Sequence, residues 1–328
     1  MNELLMIDRI NASQTPELGA LVEQTAKFIG AAKAGSTRRA YAADLADFRR
    51  FALRHSLPFL PSTPETVVLY MADLASRLTV STIRRRMAAI TSAHREAGYA
   101  DSPASPRQHY LVREVLAGIH RTLGTAQQGS APLLTGDIRR IIAATPDNLL
   151  GLRDRALILV GFSGAFRRGE LTSILEVGDL AFTDSGLYIR LWRSKTDQEQ
   201  QGRSVAVPLG EHPETCPVRA LRCWLEAAII TSGPVFRSVD RHGHVAAHAL
   251  SPRSIAKILK CAATRAGIDA TLIAGHSLRS GMATQAALNG AQEREIARTT
   301  GHHSEAMVRR YIRVAEPFQA IAASQLGL

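Results

Sequence analysis

Two arginines, two histidines, a lysine and a tyrosine stand out in this sequence because together they can do chemistry on a phosphate ester. Arg167 lies in Gly164-Ala165-Phe166-Arg167-Arg168-Gly169-Glu170-Leu171, and Lys195 in Ser194-Lys195-Thr196-Asp197. His276 and Arg279 share His276-Ser277-Leu278-Arg279, and His302 follows Gly301, nine positions before Tyr311. Attack on a phosphodiester crowds negative charge onto its nonbridging oxygens, and fixed cationic donors aimed at them lower the barrier. Guanidinium is planar, always charged and able to hold two oxygens at once, so Arg167 and Arg279 suit that task better than lysines would. A phenol can form a covalent phosphoester and divide one hard exchange into two transfers, which makes Tyr311 the candidate nucleophile. Its ordinary pKa of about 10 calls for a base, and His276 is the candidate. His302 is read as a hydrogen-bond donor to the phosphate that packs against the tyrosine's helix, and Lys195 as the general acid for the departing hydroxyl.

Each segment by itself has an ordinary explanation, as a solvated helix start, an exposed turn or a chance tetrapeptide. Their order and spacing are more specific. R-x-x-E-L, a hairpin lysine, H-x-x-R, then G-H with a tyrosine nine residues on resembles the tyrosine recombinase (phage integrase) family over nearly the whole chain. Gly275-His276-Ser277 and Tyr311-Ile312-Arg313 look most like the Cre branch, although His302 stands where Cre-type enzymes place a tryptophan. The resemblance implies a site-specific recombinase that cleaves and rejoins DNA through a 3′-phosphotyrosyl intermediate. It also implies two domains clamped around duplex DNA, and a homotetramer on two DNA sites supported by a terminal segment, 317–328, that docks on a neighbouring subunit. A relaxing enzyme of the type IB topoisomerase kind and a DNA-binding protein without catalysis are the alternatives. The need for accessory proteins is not legible.

The elements that must position these residues are mostly helical. Apolar groups at helical spacing predict helices from Ser36 or Thr37 through Phe51, from Pro64 to Ser76 with Thr63 as cap, from Ser81 to Ala97, and from about Arg107 to Thr122. The small, polar stretch 124–132 reads as a linker. It separates a helical core-binding DNA domain, 1–123, from a catalytic domain, 133–328. In the second part helices are predicted at about 135–144, 151–163, 168–176, 217–230, 252–266, 278–289, 291–298 and 305–314. Alternation in Leu187-Tyr188-Ile189-Arg190-Leu191-Trp192 predicts a strand that pairs with Ser204 to Val207 across a polar turn holding Lys195. The fold class expected is mainly α, a helical N-terminal domain followed by an α+β catalytic domain with one small antiparallel sheet.

Forty Lys+Arg against 29 Asp+Glu give a net charge of +11, which suits a polyanionic partner, with double-stranded DNA the first candidate. Arg38 and Arg39 at one helix start and Arg84, Arg85 and Arg86 at another are candidate DNA contacts. No apolar run is long enough to cross a membrane and no secretory leader is visible, so a cytoplasmic location without membrane contact is expected. Three cysteines, Cys216, Cys223 and Cys261, without C-x-x-C spacing read as reduced, mostly structural thiols. No phosphate-binding glycine loop or carboxylate cluster suggests a cofactor or a metal. His242, His244 and His248 read as a solvated loop rather than a metal site.

Overall fold

The computed structural model describes residues 16–99, 109–124, 130–173, 175–192, 202–302, 307–309 and 311. The chain divides into two compact units, Met1–Gln127 and Gln128–Leu328.

The first unit contains α1 (Pro16–Ala31), α2 (Gly35–Arg54), α3 (Pro64–Ala75), α4 (Val80–Glu96) and α5 (Tyr110–Leu123). Helix α1 was not expected from the sequence. Its apolar residues Leu21 and Phe28 are exposed, so it carries no strong buried stripe to betray it. α3 starts where the sequence predicts: the Thr63 side chain accepts from Thr66 N at 3.3 Å and Pro64 occupies the first turn, where its missing N–H costs nothing. α3 packs along α5 and α2 along α4, closing a core of Phe48, Phe51, Tyr70, Met71, Ile83 and Ile90. On α4 the predicted side, Ile83, Met87, Ile90 and His94, is the buried one. The His94 ring joins this core because both nitrogens are satisfied: Nδ1 faces Ile90 O at 2.9 Å and Nε2 accepts from Ser62 N at 3.0 Å.

Arg86, proposed from the sequence as a DNA contact, is turned into this unit. Its Nη1 donates to the Asp47 carboxylate and, at 2.6 Å, to the Tyr70 hydroxyl, which itself donates to Asp47 Oδ2 at 2.8 Å. Burial raises the Asp47 carboxyl, but the Tyr70 hydroxyl and the Arg86 guanidinium outweigh it and hold the carboxyl at about 2. Without Arg86, Asp47 would keep the Tyr70 hydroxyl, Arg50 at 3.0 Å and Arg77 at 3.4 Å but lose its most buried cation. Arg86→Ala is therefore expected to cost about 2 kcal/mol of unfolding free energy, measured by denaturant titration, a loss independent of DNA.

The second unit opens with α6 (Thr135–Ala143), α7 (Leu149–Ser163) and α8 (Arg168–Ser173). α7 starts two residues before the predicted position because Asn148, not Gly151, begins it: its side chain accepts from Gly151 N at 2.9 Å. α7 is buried nearly all round, so its sequence shows little periodicity. α8 ends well before the predicted Glu176, which forms an isolated bridge with Pro234 and leads through a short 3-10 turn into a strand.

That strand, β1 (Leu180–Thr183), was not expected. It pairs antiparallel with β2 (Gly186–Leu191), and β2 pairs with β3 (Arg203–Pro208) in the register Leu187↔Val207, Ile189↔Val205 and Leu191↔Arg203. The alternating residues of β2 and β3 face the core, as the sequence pattern requires. Segment 193–201, with Lys195, lies outside the described residues.

After α9 (Pro217–Ala227) comes a second antiparallel pair, β4 (Arg237–Val239) and β5 (Val245–Ala249), where the sequence suggested only a loop. His242 and His244 sit in its turn and His248 on β5. An acidic neighbour unforeseen in the sequence, Asp240, accepts from the backbone N–H groups of His242 and His244 and lies 2.8 Å from His244 Nδ1. The carboxylate thus closes the turn. The unit is completed by α10 (Pro252–Arg265), α11 (Ser277–Leu288) and α12 (Glu293–Thr300), with residues 307–309 and 311 helical beyond it. Cys216 is buried, whereas Cys223 and Cys261 are exposed and so do not pack a core as expected. Among the described residues no helix is long and apolar enough to cross a membrane.

Candidate active site

The end of α7 sets the first catalytic candidate. Phe166 folds back over Gly164, where a Cβ would stand 2.2 Å from the ring, and Ala165 takes a φ of +50° to make the reversal. Arg167 then stands just before the first residue of α8. Glu170, three residues on, accepts from Arg167 N at 2.8 Å through Oε2 and from Arg167 Nη1 at 2.9 Å through Oε1. One buried carboxylate thus caps the helix and orients the guanidinium.

α11 supplies the second segment. Its start is pinned by Ser277, whose carbonyl accepts from Leu133 N at 3.1 Å, and by Gly281, where a Cβ would overlap the Leu133 carbonyl at 2.0 Å. His276 and Arg279, three residues apart, fall on the same side of the helix. Arg279 has no solvent exposure. Its Nη1 donates to the carbonyl of Ala165 at 2.8 Å and its Nη2 to His302 Nε2 at 2.9 Å. Burial, and then the charge of Arg167, push the guanidinium down to about 10 from its ordinary 12.5. It remains charged at neutral pH.

α12 ends on Gly301 in the left-handed region, φ +64°, which reverses the chain so that His302 points back at Arg279. His302 Nδ1 lies 2.9 Å from Thr300 Oγ1, and that hydroxyl donates to Ile296 O at 2.7 Å. Because arginine only donates, His302 Nε2 must be the acceptor and Nδ1 carries the proton. This differs from the sequence expectation, in which His302 donates to phosphate: here its outward nitrogen is engaged by Arg279. Tyr311 closes the group. Its hydroxyl is 3.0 Å from His276 Nε2, within reach for taking the phenolic proton, and its ring stacks on His302 with centroids 5.8 Å apart and planes at 21°.

Burial, followed by the Arg279 charge, pushes the His302 imidazole down to about 4 from 6.5. Below pH 6.5 an unfolded chain takes up a proton that the folded site refuses, so this group's contribution is intact above 6.5 and is lost as pH falls towards 4. Thermal stability is therefore expected to drop between pH 7.5 and 5, and His302→Asn to flatten that dependence relative to the unaltered chain, as differential scanning calorimetry would record.

Five of the six residues singled out from the sequence, Arg167, His276, Arg279, His302 and Tyr311, thus lie in one cluster linked by Glu170, the Ala165 carbonyl and direct contacts. The sixth, Lys195, lies outside the described residues. The sequence pattern described as the phage integrase family matches residues 133–317, which contain all six. The chain belongs to the tyrosine recombinase (phage integrase) family. Among its relatives, an integrase/recombinase described as a XerD homologue from Selenomonas ruminantium is 40% identical over 295 residues, covering 90% of this chain and 86% of that protein. Tyrosine recombinase XerD of Caulobacter vibrioides is 28% identical over 303 residues, covering 87% and 88%. A crystal structure of a lambda integrase dimer bound to a COC′ core site shares the fold, with TM-score 0.55 and 15% identity over 93% of this chain and 83% of that one. These relatives bear on the family and give no support to the Cre branch in particular.

Two further polar residues of this recombinase were missed in the sequence. Glu170 stood inside a recognised motif without a role, and an acidic residue three positions after a helix-start arginine is the capping signal that marks it. Arg203 is the first residue of β3, one position before the predicted strand, and nothing local in the sequence marks it. Of the arginines proposed for DNA, Arg38, Arg39, Arg84 and Arg85 are exposed, Arg85 while held by buried Asp44 through Nε at 2.9 Å and Nη2 at 3.0 Å, and Arg86 is committed as described.

Proposed function

We propose that the chain is a site-specific DNA recombinase in which the Tyr311 oxygen attacks a DNA phosphorus. The bond from phosphorus to the leaving oxygen breaks, a phosphotyrosyl ester at the 3′ end forms, and a 5′-hydroxyl departs. The observation that carries this reading is the Tyr311 hydroxyl at 3.0 Å from His276 Nε2, beside Arg279 and Arg167. His276 takes the phenolic proton, the two guanidiniums stabilise the charge developing on the nonbridging oxygens, and Lys195 returns a proton to the leaving oxygen. His302, neutral and bonded to Arg279, holds that guanidinium and stacks on the nucleophile. Rejoining reverses these steps with a different 5′-hydroxyl, and the ester retains the bond's free energy, so no nucleotide cofactor is called for.

In the same reading unit 1, with Arg38, Arg39 and Arg84 exposed, is the core-binding domain, residues about 124–132 are the linker, and four chains assemble on two DNA sites through the terminal segment 317–328. The chain then works as part of a mobile or replicating DNA element.

The test is covalent capture. The full chain is incubated with a pool of nicked duplexes of randomised sequence, in which the cleaved fragment diffuses away and traps the ester. Adducts that survive denaturation, carry DNA on the Tyr311 peptide by mass spectrometry and share two inverted half-sites support the reading. No adduct, or an adduct on another residue, refutes it; an adduct without shared half-sites points to a relaxing enzyme instead.

A further inference from the structure

Arg203, the first residue of β3, is not among the six residues with assigned chemistry, yet it joins the elements that hold them. Its Nη2 donates to Glu170 Oε2 at 3.2 Å and its Nη1 to the carbonyl of Thr299 at 2.7 Å. The other oxygen of Glu170 holds Arg167 Nη1 at 2.9 Å, so one buried carboxylate is shared between two guanidiniums. Thr299 is in the last turn of α12, just before the turn that sends His302 back into the site. Arg203 also lies against that turn: a Cβ on Gly301 would stand 3.2 Å from its Cδ, Nε and Cζ. Its Nε is buried and finds no hydrogen-bond partner among the described residues. The Arg203 side chain is only 18% exposed.

We propose that Arg203 is a positioning residue for phosphoryl transfer, holding Arg167 through Glu170 and His302 through the end of α12. The proposal rests on the reading of Arg167, His302 and Tyr311 given above and deepens it. With Arg203 in place, Glu170 divides its charge between two cations and Arg167 keeps N–H groups for the phosphate. Without it, the buried carboxylate is balanced by Arg167 alone, and a paired fork geometry draws that guanidinium onto Glu170 and away from the substrate. The Thr299 carbonyl loses its donor at the same time, and the Gly301 turn loses the group packed against it.

The experiment uses the full chain and a nicked duplex of the sequence captured by the unaltered protein, so that failure of the recombinase reading shows first, as an absence of adduct with no substitution. Single-turnover adduct formation at saturating protein is then compared for Arg203→Met, Glu170→Gln and the double variant, with half-site affinity from filter binding. Arg203→Met is expected to slow adduct formation about 10- to 100-fold, the usual scale for removing a group that supports a reactive one, with affinity unchanged. In the Glu170→Gln background the same change is expected to cost less than about threefold, because much of its effect passes through that carboxylate. A wild-type rate for Arg203→Met, or an equal loss in both backgrounds, overturns the proposal, since general loss of packing is indifferent to Glu170. If Arg203→Met does not fold, Arg203→Lys is used, which keeps the charge but reaches one acceptor only. An intermediate rate at unchanged affinity supports the proposal and a wild-type rate overturns it.

Discussion

Replacing Tyr311 by phenylalanine is expected to abolish covalent capture of DNA while leaving the fold and half-site binding intact. The substitution removes one oxygen. It keeps the ring that stacks on His302 at 5.8 Å and the packing against the small cluster of Ala283, Ala287, Ile296 and Val308. What disappears is the atom that forms the bond to phosphorus, together with its contact to His276 at 3.0 Å. With no phenolic oxygen no phosphotyrosyl ester can form, so adduct is expected to fall by at least about 10⁴-fold, to the background of the assay. The measurement is adduct formation on the captured duplex against filter binding of the same duplex. Adduct at a tenth of the normal rate would show that another residue attacks, and the central assignment would fail.

Arg279→Lys is expected to produce the second largest loss, about 10²- to 10³-fold in the rate of adduct formation. The guanidinium is wholly buried and spans two acceptors, the Ala165 carbonyl and His302 Nε2, and its Nε finds no hydrogen-bond partner among the described residues. A lysine ammonium, one compact charge, cannot keep both contacts and still present a pair of parallel donors. Its charge is also less secure. Burial and Arg167 already push the arginine down to about 10. The same surroundings would push a lysine, ordinarily about 10.4, down as well. The sign follows from the cation: above its pKa the ammonium loses the charge that the transition state needs. The rate of Arg279→Lys relative to the unaltered chain is thus expected to fall as pH rises. A ratio that stays flat from pH 7 to 9 would sink this account of the charge, and a ratio near one would remove Arg279 from the chemistry.

How far the sequence could be read depended on whether a signal was local. The paired strands β2 and β3 and the start of α3 at Thr63 were visible because side-chain alternation and capping chemistry act between residues close in the chain. Elements without such a signal were missed. β1 is four residues long, β4 has three, and α1 exposes Leu21 and Phe28 rather than burying a stripe.

The residue types of the site belonged to the same legible class. Arginine for phosphate oxygens, tyrosine for a covalent ester and histidine for a proton follow from the chemistry of the side chains and hold wherever the fold carries them. Their order along the chain then pointed to the family. Which way each group faces did not follow, because it depends on contacts between segments far apart in sequence. Arg86 looked like a DNA contact until Asp47 and Tyr70 turned it inward. His302 looked like a donor until the Arg279 N–H, brought from 23 residues away, made its Nε2 an acceptor. Arg203 drew no notice in the sequence, since only the tertiary structure brings Glu170 and Thr299 to it from two helices. The sequence by itself determined the chemistry available to this protein. Tertiary structure decided which charges are spent on one another and which remain for a substrate, since burial makes an unmatched charge too costly to leave to chance.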